Sequence, residues 1–350
     1  MLSLSDDVRR AALGGAIALL GALLAVWLHI PLPWLLGSLI LTAATRIAGV
    51  RSRCPAAFNK AGRWVIGVSL GLYFTPQVAS SLAQHWPLIA LGMAYAMLLA
   101  VLGCWIYRRW AGLDLRTAWF AAAIGSASEM ANLAQRNGAR VDQVATVHSV
   151  RVMLVVVTVP FAFHWFSQAG APSLLAEVRQ VQWPGLLTLA LGALGAALAF
   201  ERLRLPNGWM LGPLVFVMTV TLLGWHFSAL PAWVSWLGQL FIGWSLGDKY
   251  RPDFFRSAPR LLSVVAVLTL GMMALSALLG WVLAALTQLP VATLILGLTP
   301  GGIAEMTITA KVLGLGVPLV TAMQVMRMLC VVLLTGPLYR LFLQARIRED

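Results

Sequence analysis

The chain carries one pattern twice, and that duplication restricts it to a fold made of two like halves. Gly62-x-x-x-Ile66-Gly67-x-Ser69-Leu70-Gly71 returns 176 positions later as Gly238-x-x-x-Ile242-Gly243-x-Ser245-Leu246-Gly247. At the same offset Gly125, Glu129, Met130, Ala134, Gly138, Val141 and Arg151 meet Gly301, Glu305, Met306, Ala310, Gly314, Val317 and Arg327. One residue out of step, Pro31, Trp34, Leu36 and Gly37 meet Pro206, Trp209, Leu211 and Gly212. A period this long joins two half-domains and is far beyond that of a stack of short units. The shared set includes a carboxylate and an arginine inside apolar sequence, and paired ionisable groups in duplicated membrane halves are a common way to build a carrier.

Hydrophobic residues make up 60% of the chain and charged residues only 11%, against roughly a quarter charged in soluble domains. Residues 11–29, 87–107, 183–200, 208–225, 261–286 and 318–339 are almost free of charge, and each approaches the ~20 residues needed to cross a hydrocarbon core. The class expected is an all-α, polytopic helical membrane protein. The run that follows Arg9 and Arg10 has no small-residue cleavage signal and reads as a retained first helix.

A net charge of +13 in a soluble protein would suggest nucleic acid. Here the basic residues sit in short loops, with no basic helix or aromatic platform for DNA or RNA. Cys54, Cys104 and Cys330 are widely spaced, which gives neither a disulfide framework nor a zinc site; no metal and no cofactor is expected. His29, His85, His164 and His226 lie beside or near Trp27, Trp86, Trp165 and Trp225, a pattern of headgroup anchoring.

The organisation expected is a first repeat over 1–165, a linker over 166–182 and a second repeat over 183–350. Helices are expected over 11–29, 33–48, 60–75, 87–107, 116–135 and 142–165, then over 183–200, 208–225, 236–248, 261–286, 292–312 and 318–340. The basic loops are Arg9/Arg10, Arg46 to Arg63, Arg108 to Arg116, Arg202/Arg204, Lys249 to Arg260, and Arg340 to Arg348, whereas 29–33, 76–86, 226–235 and 287–290 hold no Lys or Arg. Placing every basic loop in the cytoplasm requires segments 116–135 and 292–312 to enter and leave on one side, as re-entrant hairpins or broken helices. Each half then crosses five times, the halves are inverted, and both termini are cytoplasmic.

The chemistry concentrates in those two segments. Thr299-Pro300-Gly301-Gly302-Ile303-Ala304-Glu305-Met306 answers Ile124-Gly125-Ser126-Ala127-Ser128-Glu129-Met130. Proline and paired glycine interrupt a helix and free backbone groups, and a restarting helix presents N–H groups that can hold an anion. Arg151 and Arg327 each fall nine residues after a helix-opening Asp142 or Pro318, near mid-bilayer at 1.5 Å per residue. An arginine there must face a partner or a wet cavity. His148 and Gln324 precede them by three, on the same helical face. Two arrangements are open: each arginine pairs with the glutamate of its own half and braces the segment, or the arginines flank a cavity and bind an anionic group. Gly67-x-Ser69-x-Gly71 and its copy suit close helix packing, and Asp248 with Lys249 an interfacial pair.

The repeated Pro-x-x-Trp-x-Leu-Gly, the Gly-x-Ser-Leu-Gly block and Thr-Pro-Gly-Gly-x-x-Glu-Met followed by a helix with Gln-x-x-Arg together resemble the AbrB membrane-protein family, from about residue 12 to 341. The first half departs from the signature, with Gly125-Ser126-Ala127-Ser128 in place of Pro-Gly-Gly. The resemblance implies a duplicated AbrB domain and family labels such as regulator and ammonia monooxygenase. More distantly, the organisation is similar to that of sodium/proton antiporters, bile-acid symporters and citrate-type carriers. The expectation drawn is an inner-membrane secondary transporter, not an enzyme, working by elevator-like alternating access and a homodimer by analogy. Arg151, Arg327, His148, Gln324, Ser126, Ser128, Asn132, Thr299, Gly301, Gly302 and Thr307 would bind a small polar or anionic solute, with Glu129 and Glu305 coupling to H⁺ or Na⁺. The alternatives are a membrane-embedded regulator that senses a ligand without transport and, behind it, a membrane monooxygenase.

Overall fold

The computed structural model describes residues 4–166, 181–225, 227–250 and 259–343. The expected linker falls almost wholly outside these residues, as do His226, Arg251, Arg256, Arg346 and Arg348. The described residues form helices and no strand: α1 Leu4–Trp27, α2 Pro33–Ile47, α3 Ala56–Gly71, α4 Pro76–Gln84, α5 Trp86–Ala111, α6 Leu115–Ala122, α7 Ala127–Arg136 and α8 Val141–Phe166. The second half gives α9 Trp183–Arg202, α10 Gly208–Leu222, α11 Ala232–Gly247, α12 Pro259–Thr287, α13 Val291–Leu298, α14 Ile303–Val312 and α15 Val317–Leu338, which ends in a π-helical turn Tyr339–Leu343.

Six of these helices, α1, α5, α8, α9, α12 and α15, are long and apolar enough to cross a bilayer, and α2 and α10 are shorter apolar helices. This is a multi-pass membrane protein. Proline occupies the first turn of α2, α4, α5, α9, α12 and α15, where its missing N–H costs no helical bond. Segment 76–86, expected as a loop, is instead mostly α4, bent 86° from α3; Pro76 is its first residue.

The duplication reaches the backbone. His29 and Arg204, 175 apart, both have φ 53°, and Leu32 and Asn207, also 175 apart, have φ 51° and 52°. Left-handed backbone is uncommon for a leucine, so the shared turn geometry overrides local preference at Leu32.

The helices gather into two compact units, each drawing on both halves of the sequence. One holds α1–α3 with α9–α11; the other holds α5–α7, α8 up to Val159, and α12–α15. In the first unit the repeated glycines let backbones meet. A Cβ on Gly67 would strike the Met210 carbonyl of α10, and one on Gly243 would strike the Leu35 carbonyl of α2. Met210 is the counterpart of Leu35, so α3 packs on α10 as α11 packs on α2, the reciprocal exchange of a two-fold relation. Between α3 and α11, Phe58 meets Phe241 and Trp244 at 5.0 and 5.1 Å. Asn59 donates to the Ser245 hydroxyl at 2.6 Å, and a Cβ on Gly238 would reach Val65. Ascending α3 matches descending α11, so these counterpart helices run antiparallel.

Polar ties close one end of that unit. Asp248 pairs with Arg46 at 3.4 Å and accepts from the Cys54 amide at 3.0 Å. In the second unit α5 and α12 are also antiparallel. Tyr95 meets Ser276 at 3.0 Å, while a Cβ on Gly103, eight residues further along α5, would meet Leu268 and Met272 further back along α12.

Candidate functional site

Both chemistry-bearing segments break at the same place. α6 stops at Ala122 and α7 begins at Ala127; α13 stops at Leu298 and α14 begins at Ile303. In the second copy Pro300 and two glycines account for the break. In the first, which lacks the proline, the restart is set by a β-region Ser126 before α7. Under each break a methionine folds back: a Cβ on Gly125 would collide with Met130, and one on Gly301 with Met306. Both methionines are fully buried, which explains why the glycine and the methionine five residues later are repeated together.

Each segment is a hairpin whose ends meet. The Arg140 amide donates to the Thr117 hydroxyl at 3.0 Å, and the Gly316 amide donates to the Thr293 hydroxyl at 3.1 Å. The two threonines are 176 apart, as are the two amides. Eight and ten residues of α6 and α7 laid end to end would hold these groups roughly 27 Å apart. Of the two forms expected, the hairpin is therefore the one adopted. Gly138 and Gly314, with φ of 68° and 66°, turn the chain out of each hairpin in a conformation that favours glycine.

α15 runs past both hairpins and meets them toward opposite ends. Gly316, just before its first turn, is held at the open end of the second hairpin. Near its last turn the Thr335 carbonyl accepts from the Trp119 indole of α6 at 3.0 Å, and Tyr339 packs on Phe120 at 5.2 Å.

The paired long helices grip the hairpins through equivalent atoms. His148 Nε2 lies 3.0 Å from the Phe120 carbonyl. Gln324 Nε2 donates to the Leu296 carbonyl at 2.7 Å, with longer bonds to Gly297 and Thr299. Phe120 and Leu296 are themselves 176 apart. The arginines diverge. Arg327 donates from Nη1 to the Thr299 carbonyl and from Nη2 to the Gly301 carbonyl, both at 2.6 Å. Arg151 Nη2 instead donates to His148 Nδ1 at 2.8 Å. Because a guanidinium only donates, His148 is the acceptor at Nδ1, and its proton sits on Nε2 facing Phe120.

Arg151 and Arg327 are 3% and 4% exposed, and the Nε of each has no hydrogen-bond partner among the described residues. Neither forms an ion pair among those residues; the bracing contact of Arg327 is to backbone carbonyls rather than to the glutamate of its half. The two guanidiniums lie within electrostatic range of one another, and Tyr107 of α5 within range of Arg151.

The remaining expected residues divide between the two hairpins. The Glu305 carboxylate lies over Gly302, where a Cβ would collide with it, in the manner of a third-position glutamate at a helix start. Thr307 is fully buried and its hydroxyl donates to the Ile303 carbonyl at 2.6 Å. In the first hairpin Ser126 and Ser128 hydroxyls are 3.0 Å apart, Ser128 and Asn132 are exposed, and Glu129 is half-buried. Sequence reasoning missed Tyr107, and also Ser276, whose hydroxyl contacts the Leu298 carbonyl at 3.3 Å. Single polar groups inside the long apolar runs were the available signal.

The family model described as Transition state regulatory protein AbrB matches residues 34–343, a stretch that includes both hairpins. The chain belongs to the AbrB family. A Bacillus subtilis (strain 168) protein named "Uncharacterized protein YhjN" is 29% identical over 93% of this chain and 91% of its own length. An Escherichia coli (strain K12) protein named "Putative regulator AbrB" is 25% identical over 92% of this chain and 94% of its own length.

Proposed function

We propose that this AbrB-family protein is an inner-membrane secondary transporter that carries a small anionic or polar solute by alternating access, coupled to H⁺ or Na⁺. The observation that carries this reading is the pair of buried arginines beside the interrupted hairpins, with no ion-pair partner among the described residues. Buried charge without a counter-ion costs several kcal/mol, and a bound anion offsets that cost. Hairpins interrupted at membrane depth are also where substrate and coupling ions bind in carriers with inverted repeats.

The antiparallel pairing of α3 with α11 and of α5 with α12 supports two inverted copies, and the basic loops then put both termini in the cytoplasm. Both hairpins and both arginines belong to one compact unit, which supports an elevator-like motion in which that unit carries the solute as a body. Glu129, half-buried in the more open hairpin, and Glu305 are the carboxylates assigned to the coupling ion. Counterflow of labelled organic acids, amino acids and sugars into proteoliposomes tests the proposal: saturable, gradient-driven uptake of one class is expected, and its absence across all classes sinks the reading.

A second reading has its own support. The family model's description and the name of the Escherichia coli relative both say regulator. A membrane sensor would use the same hairpins to bind a ligand without turnover. Saturable binding with no flux decides in its favour.

A further inference from the structure

We propose that the duplicated arginines have divided their roles: Arg151 takes the carboxylate of a small monocarboxylic acid, while Arg327 is a positioning residue that holds the second hairpin. This deepens the anion-site reading given above and rests on it.

Arg327 has both terminal nitrogens committed, at 2.6 Å each, to the Thr299 and Gly301 carbonyls. Those carbonyls lie where Pro300 ends the helical ladder, and charge-assisted donors are among the strongest replacements available. The carbonyls at the matching positions in the first hairpin belong to Ala123 and Gly125, and the hydrogen bond of Arg151 goes to a neutral imidazole nitrogen of His148 instead. A carboxylate oxygen in place of that neutral acceptor would add the Coulomb attraction of an ion pair, which an imidazole nitrogen does not supply.

The unpartnered Nε of Arg151 and its neighbouring Nη2 form a planar fork that matches the two oxygens of a carboxylate. The charge of Arg327, within electrostatic range, adds attraction, and Tyr107 of α5 lies within electrostatic range of Arg151 as well. Arg151 is almost sealed from solvent, and Val147 and Val155, one turn before and after it on the same helix, are fully buried. The cost of removing an ion from water is steep in such surroundings and rises with the square of its charge. A singly charged, planar carboxylate therefore fits better than sulfate or the phosphate dianion.

The test uses the full-length protein in nanodiscs, with acetate, propionate, lactate, sulfate and phosphate at matched ionic strength. Thermal shift and calorimetric binding are read for the parent, Arg151→Gln, Arg151→Lys and Arg327→Gln. At least one monocarboxylate is expected to bind the parent more tightly than sulfate or phosphate does. Arg151→Gln is expected to weaken that binding at least about tenfold, as loss of a charged hydrogen bond requires, while its melting temperature without ligand stays near the parent's. Arg151→Lys, which keeps the charge and loses the fork, should weaken it too, and Arg327→Gln should lower the melting temperature without ligand. Unchanged monocarboxylate binding by Arg151→Gln, tighter binding of sulfate or phosphate, or no anion binding by the parent each overturns the proposal. Proteoliposome flux separates the two readings. Carboxylate carried equally by Arg151→Gln leaves transport standing and removes the division, whereas Arg151-dependent binding without flux leaves the division and removes the carrier.

Discussion

His148 and Gln324, 176 residues apart, hold the carbonyls of Phe120 and Leu296, which are separated by the same interval. An imidazole and a carboxamide thus place an N–H at one position in two copies of the same joint. Besides the longer bonds of Gln324 to Gly297 and Thr299, they differ in what the remaining acceptor does. His148 Nδ1 receives a hydrogen bond from Arg151, and Gln324 Oε1 has no partner among the described residues.

That equivalence predicts an asymmetric pair of substitutions. His148→Gln copies the second repeat and keeps a donor for Phe120, so its stability should stay within about 1 kcal/mol of the parent. Gln324→Ala leaves the Leu296 carbonyl without its shortest partner in a buried setting, at a cost of about 1–3 kcal/mol. Melting temperatures in one lipid or detergent check both; a His148→Gln loss equal to that of Gln324→Ala would break the equivalence.

The glycine contacts predict a second contrast. Gly67→Ala and Gly243→Ala drive a methyl group into the Met210 and Leu35 carbonyls, and each should destabilise by about 1–3 kcal/mol, the usual penalty of overpacking. Gly271, exposed in the middle of α12, has nothing within 4 Å of an added Cβ. Gly271→Ala should be neutral or stabilise by up to about 1 kcal/mol through helix propensity. Denaturation of the three variants decides whether close approach, rather than glycine as such, is what the repeat preserves.

The hairpin closures predict local effects. Thr117→Val and Thr293→Val keep side-chain volume and remove the acceptors of the Arg140 and Gly316 amides. Hydrogen exchange of each amide should accelerate at least about fivefold, corresponding to a lost bond of about 1 kcal/mol. Exchange that is unchanged in both would mean that the hairpin ends are held by something else.

Cys54, in the loop before α3, should be a poor nucleophile. Burial first, and then the adjacent Asp248 carboxylate, push its thiol up to about 12. Both causes disfavour the thiolate, so the neutral thiol persists far above its ordinary range and alkylation at pH 8 should run more than about a hundredfold slower than in unfolded protein. Removing the charge with Asp248→Asn brings the pKa down and should speed the reaction. Site-resolved iodoacetamide labelling measures both, and fast labelling of Cys54 in the folded parent would contradict the burial.

The sequence alone determined the all-helical membrane class, the long apolar helices and the positions of the two breaks. Pro300, the repeated glycines and the charge-free runs act through local backbone physics, which a string of residue types records directly. The loop that became α4 was missed because a short amphipathic turn carries too weak a local signal.

Only the tertiary structure decided how helices from both halves combine into each compact unit, and why Arg327 and Arg151 diverge. Those choices rest on contacts with backbone carbonyls and on close approaches between distant helices. Every residue carries a carbonyl, so such a partner leaves no mark in the sequence. Two arginines that align residue for residue can therefore do different work, because the groups around them are brought there by the fold.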